Sequence, residues 1–401
     1  MRAYLGITHP SPALDARPVI SALRSVVWLD AALLPNLRTG RAEGAAASQR
    51  IPETYFMRTT FTAATVGAMA LAAFSSNAHA QSSVTLFGVV DLAMRQTNAS
   101  DRSRIRTLSS GGLTGSRFGI RGTEDLGGGL SAGFWFEADV SPDTGMTNAT
   151  AYWSRRSTLS LTSSDWGELR MGRDYVPLFT KQYVPFSPFG PNGVASNGSL
   201  FFGAPSLLGS GSGAGVRADN MIKYILPRAL GGFYGEVMGS FAEGRDVNRH
   251  RGGVFGYASG PFDLNVGFGR TSDTKGLHWI RLSSIGASYD AGWAKFTTMF
   301  QHARYLERRQ KTAAFGVSVP VGAGVLKASY IRADQSGAGT DADDANQVGL
   351  GYVHYLSKRT ALYGTFSRIS NKGKQVFGLG GVTPPVGGSV RGIEFGVNHS
   401  F

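Results

Sequence analysis

From residue 81 onward, apolar and polar residues alternate along most of the chain. In the stretch 130–140, Leu130, Ala132, Phe134, Phe136, Ala138 and Val140 fall on one parity, and Ser131, Gly133, Trp135, Glu137 and Asp139 on the other. Near the C-terminus Ile393, Phe395, Val397 and Phe401 share a parity, opposite Glu394, Asn398 and Ser400. A period of two predicts β-strands with one apolar and one polar face. Helical periodicity is scarce, and no apolar run approaches the length of a membrane helix.

The connections fall into two classes. Short turns are predicted at Glu124–Gly129, Ser163–Glu168, Pro227–Gly232, Ser259–Phe262, Asp290–Trp293, Pro320–Gly324 and Leu356–Thr360. Longer polar stretches lie between them, at 95–115, 141–154, 173–219, 241–251, 271–280, 303–312, 333–346 and 370–390. Fifteen connections imply sixteen strands with both termini on the short-turn side, the layout of an outer-membrane barrel. A soluble sandwich also alternates. Mid-strand arginines and glutamates on the polar face, the lack of helices and the terminal Phe401 favour lipid on one face and water on the other. A closed barrel pairs every backbone group and exposes no edge. The expected fold is therefore all-β: a 16-stranded antiparallel transmembrane β-barrel.

The first eighty residues read differently. Met57 opens a segment with Arg58, an apolar run from Ala63 to Phe74, and Ala78 and Ala80 flanking His79. That is the pattern of a secretory signal peptide over 57–80. Residues 1–56 have mixed composition and no periodicity, and are expected to be a gene-start extension; the barrel domain is then 81–401.

Composition narrows the chemistry. With no cysteine, disulfides, thiolate nucleophiles and Cys-ligated metals are excluded. The net charge of +13 first suggests nucleic acid. Of that excess, +10 stays with residues 81–401, and an exported chain is not expected to meet nucleic acid. No G-x-S-x-G, H-E-x-x-H or P-loop pattern occurs, so no catalytic residues, enzyme activity or cofactor are expected. The acidic run Asp341–Ala345 has carboxylate oxygens of the kind that hold a divalent cation.

The stretches Ser82–Ala93, Ser116–Glu137, Arg155–Asp174, Val216–Tyr224, Gly351–Gly364 and Gly396–Phe401, in this order and spacing, resemble the porins of betaproteobacteria, above all their anion-selective trimeric general porins. The resemblance implies a homotrimer and a third loop, here 173–219, folded inward to narrow the pore. It implies that Phe401 is read by the barrel-assembly machinery. It also implies constriction arginines at Arg117, Arg155 and Arg217, with Glu137 as their partner acid.

Alternation supports part of this assignment. Phe118, Ile120 and Gly122 take the lipid parity, which turns Arg117 and Arg121 into the lumen. An arginine facing lipid at the midplane would cost roughly 2–4 kcal/mol. Arg217 shares a parity with Met221 and Lys223. Arg155 shares one with Ser157, Leu159 and Leu161, so alternation alone favours Arg156; a bulge or a position above the bilayer would reconcile the two. Between Asp174 and Asp219 there is no other acid, whereas Lys181 and Arg217 are basic. A positive lumen and small anionic solutes are the expectation. The basic runs Arg245–Arg251 and Arg304–Lys311 are expected in outward loops, where lipopolysaccharide phosphates are within reach. A structural or adhesive barrel, or a barrel hydrolase, is the competing reading.

Overall fold

The computed structural model describes residues 83–401, apart from 101–103, 203–205, 212–214 and 245–246. The predicted extension and signal peptide lie outside the described residues. The strands are β1 (Ser83–Ala99), β2 (Ile105–Ser110), β3 (Arg117–Gly127), β4 (Leu130–Ser141), β5 (Met146–Thr147), β6 (Arg156–Ser163), β7 (Gly167–Tyr175), β8 (Arg217–Ile225) and β9 (Phe233–Ser240). They continue as β10 (His250–Ser259), β11 (Phe262–Ser272), β12 (Trp279–Asp290), β13 (Lys295–Tyr305), β14 (Arg308–Val321), β15 (Gly324–Ser336), β16 (Ala345–Tyr355), β17 (Thr360–Asn371) and β18 (Ser389–Ser400).

Every pairing is antiparallel, and β18 closes the sheet on β1 from Val89↔Ser400 to Ala99↔Val390. The eighteen strands make sixteen staves. β2 and β3 pair with the upper and lower halves of β1 and are one stave, interrupted at residues 111–116. β5 is a two-residue spur on the end of β4. Among the described residues no helix is long and apolar enough to cross a membrane.

The two faces are inverted relative to a soluble protein. Phe255, Val266, Phe268, Phe300 and Phe315 are exposed on the outer wall, while Asp91, Glu137, Lys223 and Glu394 are buried inside. Such an apolar outer surface is far beyond what a soluble monomer shows, and lipid covers it.

All seven short turns fall where alternation puts them. Two of the long connections are shorter than expected. The stretch 303–312 is mostly strand: β13 and β14 meet at a two-residue turn, Leu306–Glu307, with Leu306 at φ 53°. Likewise Ile105–Ser110, inside the expected loop 95–115, pairs with β1. Strands that continue beyond the bilayer have water on both faces and need no apolar parity, so their sequence reads as loop.

The seam where the last strand meets the first is held by a buried carboxylate and by the backbone of the final residue. Asp91 is fully buried and accepts five hydrogen bonds: from the Gly112, Leu113 and Thr114 amides at 3.0, 3.0 and 2.9 Å, from Tyr363 Oη at 2.5 Å and from Asn398 Nδ2 at 2.8 Å. One carboxylate thus ties the break in the second stave to β1, β17 and β18. Phe401 exchanges both backbone hydrogen bonds with Gly88 at 3.1 Å.

Candidate functional site in the lumen

After β7 the chain crosses the inside of the barrel before returning at β8. Val176 N donates to Val216 O at 3.0 Å, closing the base of this segment. Its residues bond to inward-facing side chains around much of the wall. Gln182 Nε2 donates to Asn265 on β11 at 2.8 Å. Gln301 on β13 donates to Phe201 O at 3.1 Å, and Gln310 on β14 to Leu200 O at 2.7 Å. Gln347 on β16 donates to Ser196 O at 3.1 Å, and Val194 N donates to Glu394 Oε1 on β18 at 3.0 Å.

Glycines on the inner wall make room for it. A Cβ on Gly267 would stand 2.5 Å from Leu178, on Gly286 2.6 Å from Phe186, on Gly316 2.3 Å from Pro188 and on Gly351 2.8 Å from Phe189. Real side chains do not approach so closely, so only glycine lets the segment lie flat on these strands. Four aromatics of the segment are buried here: Phe179 is 9% and Phe186 1% exposed, and Tyr183 and Phe201 are fully covered.

Because the segment rests on β11 to β18, it leaves open the side formed by β1, β3, β4 and β6 to β8. A cavity of about 680 Å³ lies there. Arg117, Arg155, Arg217, Arg121 and Glu137 line it from the wall, and Thr180 and Asn192 from the crossing segment.

Glu137 is the hub of the arginines. Its Oε1 accepts Arg155 Nε at 2.6 Å and lies 3.7 Å from Arg117 Nε; its Oε2 accepts Trp135 Nε1 at 3.0 Å. Arg155 also donates to Asp139 at 3.0 Å. Arg217 makes no ion pair with any acid among the described residues. Its Nη2 donates to Tyr175 Oη at 2.9 Å, its guanidinium sits 4.4 Å from the Tyr175 ring, and its buried Nε has no partner. A cation over an aromatic face is held by the ring quadrupole without its charge being cancelled.

Arg155 and Arg156 both enter the lumen. Arg156 opens β6 on the inward parity, directly opposite Glu137. Arg155 precedes the strand, so alternation does not bind it, and it reaches in from the connection. Arg217 also escapes simple alternation. The β7–β8 register shifts between Gly172 and Asp174, and Asn220 takes φ 51°, so parity cannot be counted from Met221 back to Arg217. A bulge re-aims a side chain in this way.

Below the first cavity a second one, of about 540 Å³, gathers Arg121, Arg156, Arg170 and Arg228 with Glu168 and Trp135. Arg156 and Arg121 stand 4.4 and 5.0 Å from the Trp135 ring. Tyr175, Arg170 and Arg228 were not singled out by sequence. Arg170 shares the inward parity of Glu168 and could have been found that way, whereas Arg228 sits in a turn without alternation. Lys181 does not join the arginines; its ammonium lies 5.7 Å from the Tyr234 ring. The acids of Asp341–Ala345 do not converge: Asp343 Oδ1 accepts the Lys374 amide at 2.7 Å, and Asp344 lies 3.9 Å from Arg332.

Comparison with known proteins gives a consistent result. The sequence profile of the Gram-negative porin family matches residues 64–374. Outer membrane porin protein 32 of Delftia acidovorans is 38% identical over 361 residues, covering 83% of this chain and 98% of that one. An outer membrane porin protein of Bordetella pertussis is 28% identical over 371 residues, covering 76% of this chain and 94% of that one. Among solved structures, the anion-selective porin from Comamonas acidovorans superposes with a TM-score of 0.72 at 34% identity, over 80% of this chain and 100% of that one. OmpT of Vibrio cholerae, at 14% identity, a TM-score of 0.59 and coverage of 80% and 98%, shares the fold.

Proposed function

The chain belongs to the Gram-negative porin family and is an outer-membrane channel; from that premise we propose that it passes small hydrophilic solutes with a preference for anions, filtered by Arg117, Arg155 and Arg217. The observation that carries this reading is the charge balance around the first cavity. Glu137 and Asp139 engage Arg155, and Glu137 also serves Arg117, but Arg217 has no acid paired with it among the described residues. The crossing segment brings no acid between Asp174 and Asp219 to oppose it. A fixed positive potential in a narrow, low-dielectric passage concentrates anions and repels cations. Arginine holds that charge at every relevant pH.

Arg121 and Arg156 continue the basic path toward the short-turn side, and Lys181 contributes at longer range. The name of the Comamonas relative, an anion-selective porin, points the same way. Homotrimeric assembly, targeting through Phe401 and contact with lipopolysaccharide complete the proposal. The zero-current potential of single channels in a KCl gradient tests it: an anion-selective sign supports the filter, and a cation-selective sign refutes it.

A further inference from the structure

The two cavities of the lumen are lined differently. The second is walled by Thr85, Thr123, Ser131, Ser160 and Thr162 beside its arginines, as suits a passage for hydrated ions. In the first, of about 680 Å³, the crossing segment presents Phe179, Val184, Pro191 and Phe202. Val184 is 44% exposed, although the same segment covers Leu178, Phe186 and Leu200 almost completely. The segment therefore has room to bury apolar groups, yet it holds this one open to the cavity.

Arg117, Arg155 and Arg217 line the wall side of the same cavity. A run of rings joins the two sides. The Tyr175 ring lies 4.4 Å from the Arg217 guanidinium and stacks on Phe179, with 4.9 Å between centroids and 13° between planes. Phe179 in turn meets Phe202 edge to face at 5.9 Å. Arg217, which no acid pairs with among the described residues, is thus the charged end of an aromatic surface.

Apolar surface kept open to water is a cost that an apolar body removes. A few convergent charged groups on an otherwise aromatic lining is the composition of a small-molecule site, and the volume falls in the usual range of roughly 300–1,000 Å³. A chloride ion uses only the charged side. A carboxylate carried on a flat ring uses both. Its two oxygens take paired hydrogen bonds from a guanidinium, and its ring makes offset or edge contacts with the rings of the segment that a saturated body makes less well.

We infer that the first cavity is a subsite for aromatic carboxylates, with the carboxylate on Arg217 and Arg117 and the ring against Phe202, Phe179 and Val184. Glu137 and Asp139 occupy Arg155, at 2.6 and 3.0 Å, which leaves Arg217 as the principal anchor. The inference rests on the arginine filter proposed above and adds to it the class of solute that is held longest.

The test adds sodium benzoate to the exported protein in planar bilayers in KCl and reads the concentration that halves the current. Benzoate should do so at a concentration at least about tenfold below that of acetate. Cyclohexanecarboxylate should need about threefold more than benzoate, and benzamide, which has the ring without the charge, should not block. Val184→Asn and Phe202→Leu should each lower the preference for benzoate over acetate about threefold. Equal block by benzoate and acetate overturns the inference, as does block by benzamide at the benzoate concentration. Equal block by cyclohexanecarboxylate overturns the aromatic assignment, and an unchanged preference in both variants overturns the placement of the ring. The zero-current potential of the same channels in KCl reports the filter separately. An anion-selective potential with equal block by benzoate and acetate leaves the filter standing and removes the subsite; a cation-selective potential removes both. If a variant fails to assemble, the four solutes on the wild type decide.

Discussion

Glu394 Oε1 accepts the backbone amide of Val194 at 3.0 Å, while its Oε2 accepts Arg95 Nε at 3.0 Å. A single carboxylate on the last strand thus joins the segment that crosses the lumen to the first strand of the barrel. Replacing Glu394 by Ala leaves the Val194 amide and the Arg95 guanidinium without their acceptor. The expected cost is about 1–3 kcal/mol, felt as loosening of the crossing segment rather than unfolding of the barrel. Single-channel recordings should show a larger and noisier conductance than wild type; a quiet, unchanged trace would contradict the tether.

Arg217 and Lys181 separate two readings of the basic lumen. If charge at the first cavity sets selectivity, Arg217→Ala shifts the KCl zero-current potential toward zero, and a double variant with Arg117→Ala shifts it further. Lys181→Ala, removing a charge held over Tyr234, should shift it much less. Equal effects from Arg217 and Lys181 would mean that net lumen charge, not position, decides.

The glycine seats give a stability prediction. In Gly286→Ala the new methyl stands 2.6 Å from the Phe186 ring, and in Gly316→Ala it stands 2.3 Å from Pro188. Overpacking of this kind costs typically about 1–3 kcal/mol. Either variant should lower the unfolding temperature and increase protease cleavage within residues 176–216. Gly292→Ala, at a turn with open space around it but φ 83°, is a control for backbone strain alone.

Phe401 lies over Gly88, where a Cβ would stand 2.3 Å from the ring. Gly88→Leu should displace the ring while leaving the final residue in place. Phe401→Ala removes the ring but keeps the backbone pair. If the ring seat matters for closure, both variants reduce the yield of heat-modifiable, folded barrel in the outer membrane. If Phe401 matters only as a terminal signal, Gly88→Leu assembles normally.

Strand number, turn positions and the inward aim of Arg117, Arg121 and Glu137 were legible in the sequence, because lipid on one face and water on the other impose a strict alternation. Legibility failed wherever that contrast is absent. Arg304–Lys311 is strand outside the bilayer and carries polar residues on both parities. Arg155 lies before its strand, and Arg217 beyond a register shift, so neither obeys a count. The seats of the crossing segment were invisible because glycine carries no side chain to mark a face.

The crossing segment leans on one arc of the wall, and the cavity beside it lies against the opposite arc. Guanidinium groups line one flank of that cavity, and uncharged side chains, among them Thr180, Asn192 and Phe202, line the other. If the arginines filter anions as proposed, an ion with its charge at one end and a hydrocarbon body would be turned sideways as it passes. Shape and charge distribution, rather than mass alone, would then set its rate, so that two isomeric carboxylates of equal size would pass at different rates.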